Sequence, residues 1–173
     1  MTNKRVLAET KELTRLALLS ALLYGAKIAM APLPNIEPVS LLVIVYVSVL
    51  GLKALIPVYI YVLLEISTWG LGYWSLCYLY VWAVLALAAW RLKDMDSSLG
   101  WAVLSGAFGL CFGGLCALSY WAAGGWNFAL SWWVSGIPFD ILHCMGNFAM
   151  ALALFRPCRR ILLLLVNRGA SYA

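Results

Sequence analysis

Apolar residues gather in six runs along the chain, at 13–31, 39–52, 54–68, 75–90, 99–123 and 127–155, while most charged and turn-forming residues lie between them. The pattern predicts an all-α protein, a compact six-transmembrane-helix bundle that forms one integral membrane domain over 1–173. The second and third runs are short. At a 1.5 Å rise per residue, 39–52 covers about 21 Å of a roughly 30 Å hydrocarbon core, so both helices must be short, extended into loops, or shielded by neighbours. Pro57 predicts a kink near the start of the third.

Composition changes the solvent, not the pattern. The 173 residues are 65% hydrophobic and only 11% charged, with a mean hydropathy of +0.92. That is about half the charge of an average soluble domain, leaving too little polar surface for water to be the main surrounding. The opening "MTNKRVLAETKELTR" is too long and too mixed in charge for a signal-peptide n-region, so the first run is expected to be a retained helix.

Charge decides how the runs cross. With six crossings and the N-terminus inside, Lys4, Arg5, Lys11, Arg15, Lys53, Arg91, Lys93, Arg156, Arg159, Arg160 and Arg168 are cytoplasmic, leaving only Lys27 of the 12 basic residues toward the outside. Fusing the second and third runs across "GLK" (51–53) would make five crossings, put six basic residues outside and strand Lys53 in mid-membrane. The positive-inside bias and the cost of a central Lys oppose this, so both termini are expected in the cytoplasm. Topology and anionic lipid then account for the net charge of +5 without any nucleic acid.

The five cysteines, Cys77, Cys111, Cys116, Cys144 and Cys158, are odd in number and show no CxxC spacing. They indicate neither a disulfide framework nor a zinc site and read as small apolar packing residues. A lone histidine cannot build a zinc site of the usual kind, so neither metal nor cofactor is expected.

Ionisable groups inside or at the rim of the membrane are few: Lys27, Glu37, Glu65, Asp140 and His143. In the six-crossing topology all map to the outer half, with Asn35 and Asn127. Such groups face a bundle interior or a wet cavity and are functional candidates, although Lys–Glu and Asp–His pairs that only tie helices together would also accommodate them. Within "GIPFDILHCMGN" (136–147), Asp140 and Asn147 differ by about 20° around a helix and His143 flanks them by about 60°. The stretch therefore presents one polar face, with Asn147 expected as a cavity floor. In the loop "APLPNIEPVS" (31–40), Pro32, Pro34 and Pro38 stiffen the chain that carries Asn35 and Glu37, giving either a lid or a simple proline-rich turn.

Aromatic side chains are asymmetric. Trp69, Tyr73, Trp74, Tyr78, Trp121, Trp126, Trp132 and Trp133 crowd the outer side, against Trp90, Trp101 and Tyr172 inside. A symmetric interfacial belt does not predict this, whereas a stacking site for a flat organic molecule does. Small residues recur at helical spacing as Ala17, Ala21 and Gly25 in the first helix, and as Ala102, Gly106, Gly109, Gly113 and Ala117 in the fifth. Both stripes permit close backbone approach. The fifth is expected to pack internally, and the first could dock another membrane protein.

Six helices in this length, Ala17-x-x-x-Ala21, "LPNIEPVSLL" opening the second helix and "GIPFDILHCMGNFAMALALFRP" closing the sixth together resemble the substrate-binding S component of an energy-coupling factor (ECF) vitamin transporter. The resemblance covers most of the chain. It implies a multi-pass protein of the bacterial plasma membrane that binds a vitamin or related micronutrient under external loops, here 32–38 and 69–74. It further implies docking through Ala17, Ala21 and Gly25 on a transmembrane coupling protein driven by two ATPase subunits. The chain itself carries no GxxxxGK[ST] loop, so it is not expected to be an enzyme.

The expected ligand is planar and heterocyclic with at least one polar or charged group. Trp69, Tyr73, Trp74, Tyr78 and Trp133 would stack on it, and Asp140, His143, Asn147, Glu65, Asn35, Glu37 and Lys27 would orient it. The carboxylates favour hydrogen-bond donors or positive charge. Two alternatives compete: an autonomous carrier or channel using Glu65, Asp140 and His143 as a proton relay, and an intramembrane enzyme with Asp140 and His143 as an acid–base pair.

Overall fold

A computed structural model describes residues 2–33 and 35–170, without the side chains of 2–4 and 168–170. Pro34, Tyr172 and the side chains of Lys4 and Arg168 lie outside the described residues. Those described form helices and no strand: α1 (Thr2–Ala29), α2 (Val39–Leu50), α3 (Leu55–Trp69), α4 (Tyr73–Arg91) and α5 (Ser98–Ala170), with a 3-10 turn at Gly51–Ala54. Among the described residues, three stretches are long and apolar enough to cross a membrane: Val39–Trp69, Tyr73–Arg91 and Ser98–Asn167. This is the composition of an all-helical membrane protein.

Several boundaries differ from those expected. α1 begins at Thr2 rather than near 13, because the polar opening continues the helix and closes an i,i+4 pair between Arg5 and Glu9 (2.9 Å). The runs 99–123 and 127–155 belong to one long element broken only at Gly125, whose φ of 78° and ψ of −178° suit glycine. This break divides α5 into a first arm, 98–124, and a second arm, 126–170. The second arm continues past 155 through Pro157.

The stretch Val39–Trp69 folds back on itself. A straight helix would hold residues 37 and 65 roughly 40 Å apart, yet both line one cavity. At the opposite end of the bundle, Lys53 reaches Glu12 of α1 (3.1 Å). Gly51, with φ 60°, begins the reversal.

Shielding explains how so short a helix as α2 is stable. Every residue from Val39 to Val47 is buried, because α2 runs through the centre and packs on α1, α4 and α5. A helix that is apolar all round belongs in such a position. α3 lies outside it against α1 and α4, with Ile56, Ile60 and Leu63 left exposed.

The two arms of α5 run antiparallel along a glycine seam. A Cβ on Gly106 would meet Cys144 and Phe148, one on Gly109 would lie 2.8 Å from the His143 backbone carbonyl, and one on Gly113 would enter the Asp140 carboxylate. The small-residue stripe of the first arm is thus an internal packing surface. α4 joins this pair through Tyr80, which donates to the Leu115 carbonyl (2.7 Å), and through Ser119, which donates to the Tyr73 carbonyl (2.8 Å). The same antiparallel packing joins Cys77 to Cys116 in a disulfide with 5.0 Å between their Cα atoms. The reading of all five cysteines as unpaired therefore fails for these two. Their 39-residue separation carries no local signal, and only helix pairing brings them together.

Candidate solute-binding cavity

A cavity of about 500 Å³ opens at the end of the bundle where α1 ends, α2 begins and α3 gives way to α4. The last turn of α1 contributes Lys27 and Ile28. The following loop contributes Met30, Ala31, Leu33, Asn35, Ile36 and Glu37. Glu65 and Trp69 come from α3, and Trp74 and Tyr78 from α4. The loop is built from successive tight turns, Leu33 N–H to the Met30 carbonyl (2.9 Å) and Ile36 N–H to the Leu33 carbonyl (3.2 Å). Asn35 takes a positive φ of 56°, which its short amide side chain tolerates better than most. This geometry brings Glu37 back over the end of α1.

Charge in the cavity is partly paired. Lys27 Nζ donates to Glu37 Oε2, tying the loop to α1. The other oxygen of Glu37 lies 3.9 Å from His143 Nε2. His143 is buried, its ring edge-on to Phe112 at 4.9 Å, and neither of its nitrogens has a hydrogen-bond partner among the described residues. Glu65 is 2% exposed although it lines the cavity, and its Oε1 also lacks a partner among the described residues.

The aromatic wall is braced from behind. Tyr78 packs edge-on against Trp74 (5.4 Å between centroids) and against Trp82 (5.3 Å). Trp82 in turn meets Phe108 and Phe112 of the first arm. Such edge-to-face contacts hold the rings in fixed orientations.

Lys27, Asn35, Glu37, Glu65, Trp69, Trp74 and Tyr78 thus converge on one cavity, with His143 behind Glu37. The other sequence candidates lie elsewhere. Asp140 Oδ1 accepts the Gly113 N–H (3.0 Å) and ties the arms of α5 together. Asn147 does not floor the cavity. Its amide donates to Ser40 Oγ (3.0 Å) and to the Ser105 carbonyl (3.3 Å), joining α2 to both arms. Tyr73 is exposed against Tyr120 and Phe128. Trp133 lines a separate apolar groove of about 380 Å³ with Trp121 and Trp126. The aliphatic lining, Ile28, Met30, Leu33 and Ile36, carries no chemical signal in the sequence beyond its position beside Lys27 and the proline-rich loop.

Ala17, Ala21 and Gly25 form an exposed stripe on α1, and nothing lies within 4 Å of a Cβ built on Gly25. Basic residues cluster at the far end of the bundle, where Arg156 donates to the Asp96 carbonyl (3.3 Å) near Arg159 and Arg160. Among the described residues no group of His, Cys, Asp and Glu is placed to hold a metal ion. Comparison of the chain with protein-family models, characterised proteins and solved structures finds no match.

Proposed function

We propose that this chain is a membrane-embedded solute-binding subunit, of the S-component kind in an energy-coupling factor importer, that captures a small flat vitamin-like nutrient from outside the cell. The observation that carries the reading is the cavity at one end of the bundle, where a braced aromatic wall faces a buried carboxylate with one oxygen lacking a partner among the described residues. Recognition sites for small molecules combine a mostly apolar concavity with a few convergent polar groups in this way.

In the proposed topology six segments cross the bacterial plasma membrane, with both termini cytoplasmic and the cavity outward. Two features support it. Basic residues gather at the end remote from the cavity, as the positive-inside bias requires. The Cys77–Cys116 disulfide lies near the cavity end, where an oxidising exterior would preserve it. The exposed Ala17, Ala21 and Gly25 stripe supplies a surface on which a coupling protein can approach the backbone closely. ATP hydrolysis falls to two partner subunits.

The test is ligand capture. The chain, purified from its native membrane, should carry a small aromatic molecule identifiable by mass spectrometry after denaturation, and that molecule should quench Trp fluorescence saturably when returned. Trp74→Ala should weaken binding about tenfold while leaving the folded yield unchanged. Absence of a co-purifying molecule together with indifference of the fluorescence to every vitamin-like solute tried would overturn the reading. Uptake by the chain alone in liposomes, without ATPase subunits, would favour an autonomous carrier.

A further inference from the structure

Resting on the solute-binding reading above, the geometry points to a cationic or N–H-donating flat heteroaromatic ligand, taken in a form without phosphate or carboxylate, whose donor group docks on Glu65. We infer this from which charges in and around the cavity are already engaged. Three carboxylates come into question. Glu37 is held by Lys27. Asp140 is held by the Gly113 amide and is not part of the lining. Glu65 alone combines burial, a position on the cavity wall and an oxygen without a partner among the described residues.

An ionised carboxylate is an acceptor only, and leaving it desolvated and unpaired is costly. When Glu65 is ionised, the group that completes it must therefore donate. An amidine-like or amino-heteroaromatic edge offers two parallel N–H bonds to a carboxylate, as a guanidinium does. The wall agrees, since the faces of Trp69, Trp74 and Tyr78 attract positive charge.

The same inventory disfavours anions. Among the described residues Lys27 is the one basic residue in the lining, and its charge is already used by Glu37. Beside an ionised Glu65, a phosphate or carboxylate on the ligand would enter a lining with one excess negative charge and find no free cation among the described residues. The site consequently separates a neutral or cationic nutrient from its phosphorylated or carboxylated derivative.

Three probes of nearly equal shape test this: benzamidine, benzamide and benzoate, titrated against Trp fluorescence of the full chain in detergent after dialysis. Benzamidine should bind at least about tenfold more tightly than benzoate, with benzamide between them. Glu65→Gln, checked for wild-type elution, should weaken benzamidine by about tenfold to a hundredfold and change benzamide little. Trp74→Ala should weaken all three alike. Benzoate binding as tightly as benzamidine, or a Glu65→Gln variant that keeps the preference, overturns the assignment of Glu65, and so does quenching by none of the probes. The molecule released from the purified chain gives an independent arm. A phosphorylated or carboxylated ligand there would overturn the class proposed here while sustaining the solute-binding reading, and only the absence of any ligand would count against that reading.

Discussion

Asp140, His143 and Asn147 share one side of a helix, and the sequence periodicity assigns them one polar face. The structure gives each a different neighbour: Gly113 of the first arm for Asp140, Glu37 of the loop for His143, and Ser40 with Ser105 for Asn147. A helix of 3.6 residues per turn fixes which side a residue points to, but seven residues also climb about 10 Å, past more than one partner. Direction was therefore legible in these residues and destination was not. A Lys–Glu pair was among the sequence alternatives without a choice between Glu37 and Glu65, and the turn after α1 brings Glu37 to Lys27. Asn147 is accordingly a tie between helices. Asn147→Ala should lower the unfolding midpoint in detergent, corresponding to about 1 kcal/mol for interhelical hydrogen bonds in a membrane protein. Affinity for the proposed solute should stay within about twofold, since the Asn147 side chain is not in the cavity lining. A tenfold loss of affinity with unchanged stability would restore it as a ligand contact.

At the scale of elements, two stripes of small residues look alike in the sequence and differ in what covers them. On the first arm of α5, a Cβ at Gly109 lies 2.8–2.9 Å from backbone atoms of His143 and Cys144, which cannot yield as a flexible side chain would. On α1, Ala21 is exposed and a Cβ at Gly25 meets nothing. Gly109→Ala should therefore separate the arms and destabilise the fold by about 1–3 kcal/mol, despite adding one methyl to a helix where alanine is intrinsically preferred. Ala21→Trp, a far larger change, should leave the unfolding midpoint and solute affinity near wild type and act only on assembly with a membrane partner. Thermal unfolding of both purified variants checks the contrast, and the opposite order of stabilities would mean that the α1 stripe is the packed one. Small-residue spacing reveals a possible close approach, not which element approaches. The same limit hid the central position of α2: its apolar residues all round signal burial, but the short run alone cannot distinguish a shielded core helix from one extended into its loops.

At the scale of the whole molecule, the division into a cavity end and a basic end was the most legible feature, because it rests on counted charges rather than on contacts. Lys53 with Glu12, and Arg156, Arg159 and Arg160 beside Asp96, gather opposite to Glu37, Glu65 and the tryptophans. The disulfide was not legible, since Cys77 and Cys116 meet only once α4 and the first arm are antiparallel. Its position nevertheless adds a second, independent polarity to the bundle. In the proposed topology the charge bias turns the basic end to the cytoplasm and the disulfide end to an oxidising compartment. Both fail together if the chain inserts the other way up. Leu71, 78% exposed in the turn between α3 and α4, and Asp94, exposed in the turn after α4, lie at opposite ends of one helix and report on this directly. In spheroplasts, Leu71→Cys should react with a membrane-impermeant maleimide above the level of the unsubstituted chain. Asp94→Cys should react only after the membrane is permeabilised. Reaction of Asp94→Cys alone in intact spheroplasts would invert the molecule, turn the cavity toward the cytoplasm and remove the basis for reading it as a site of capture from outside.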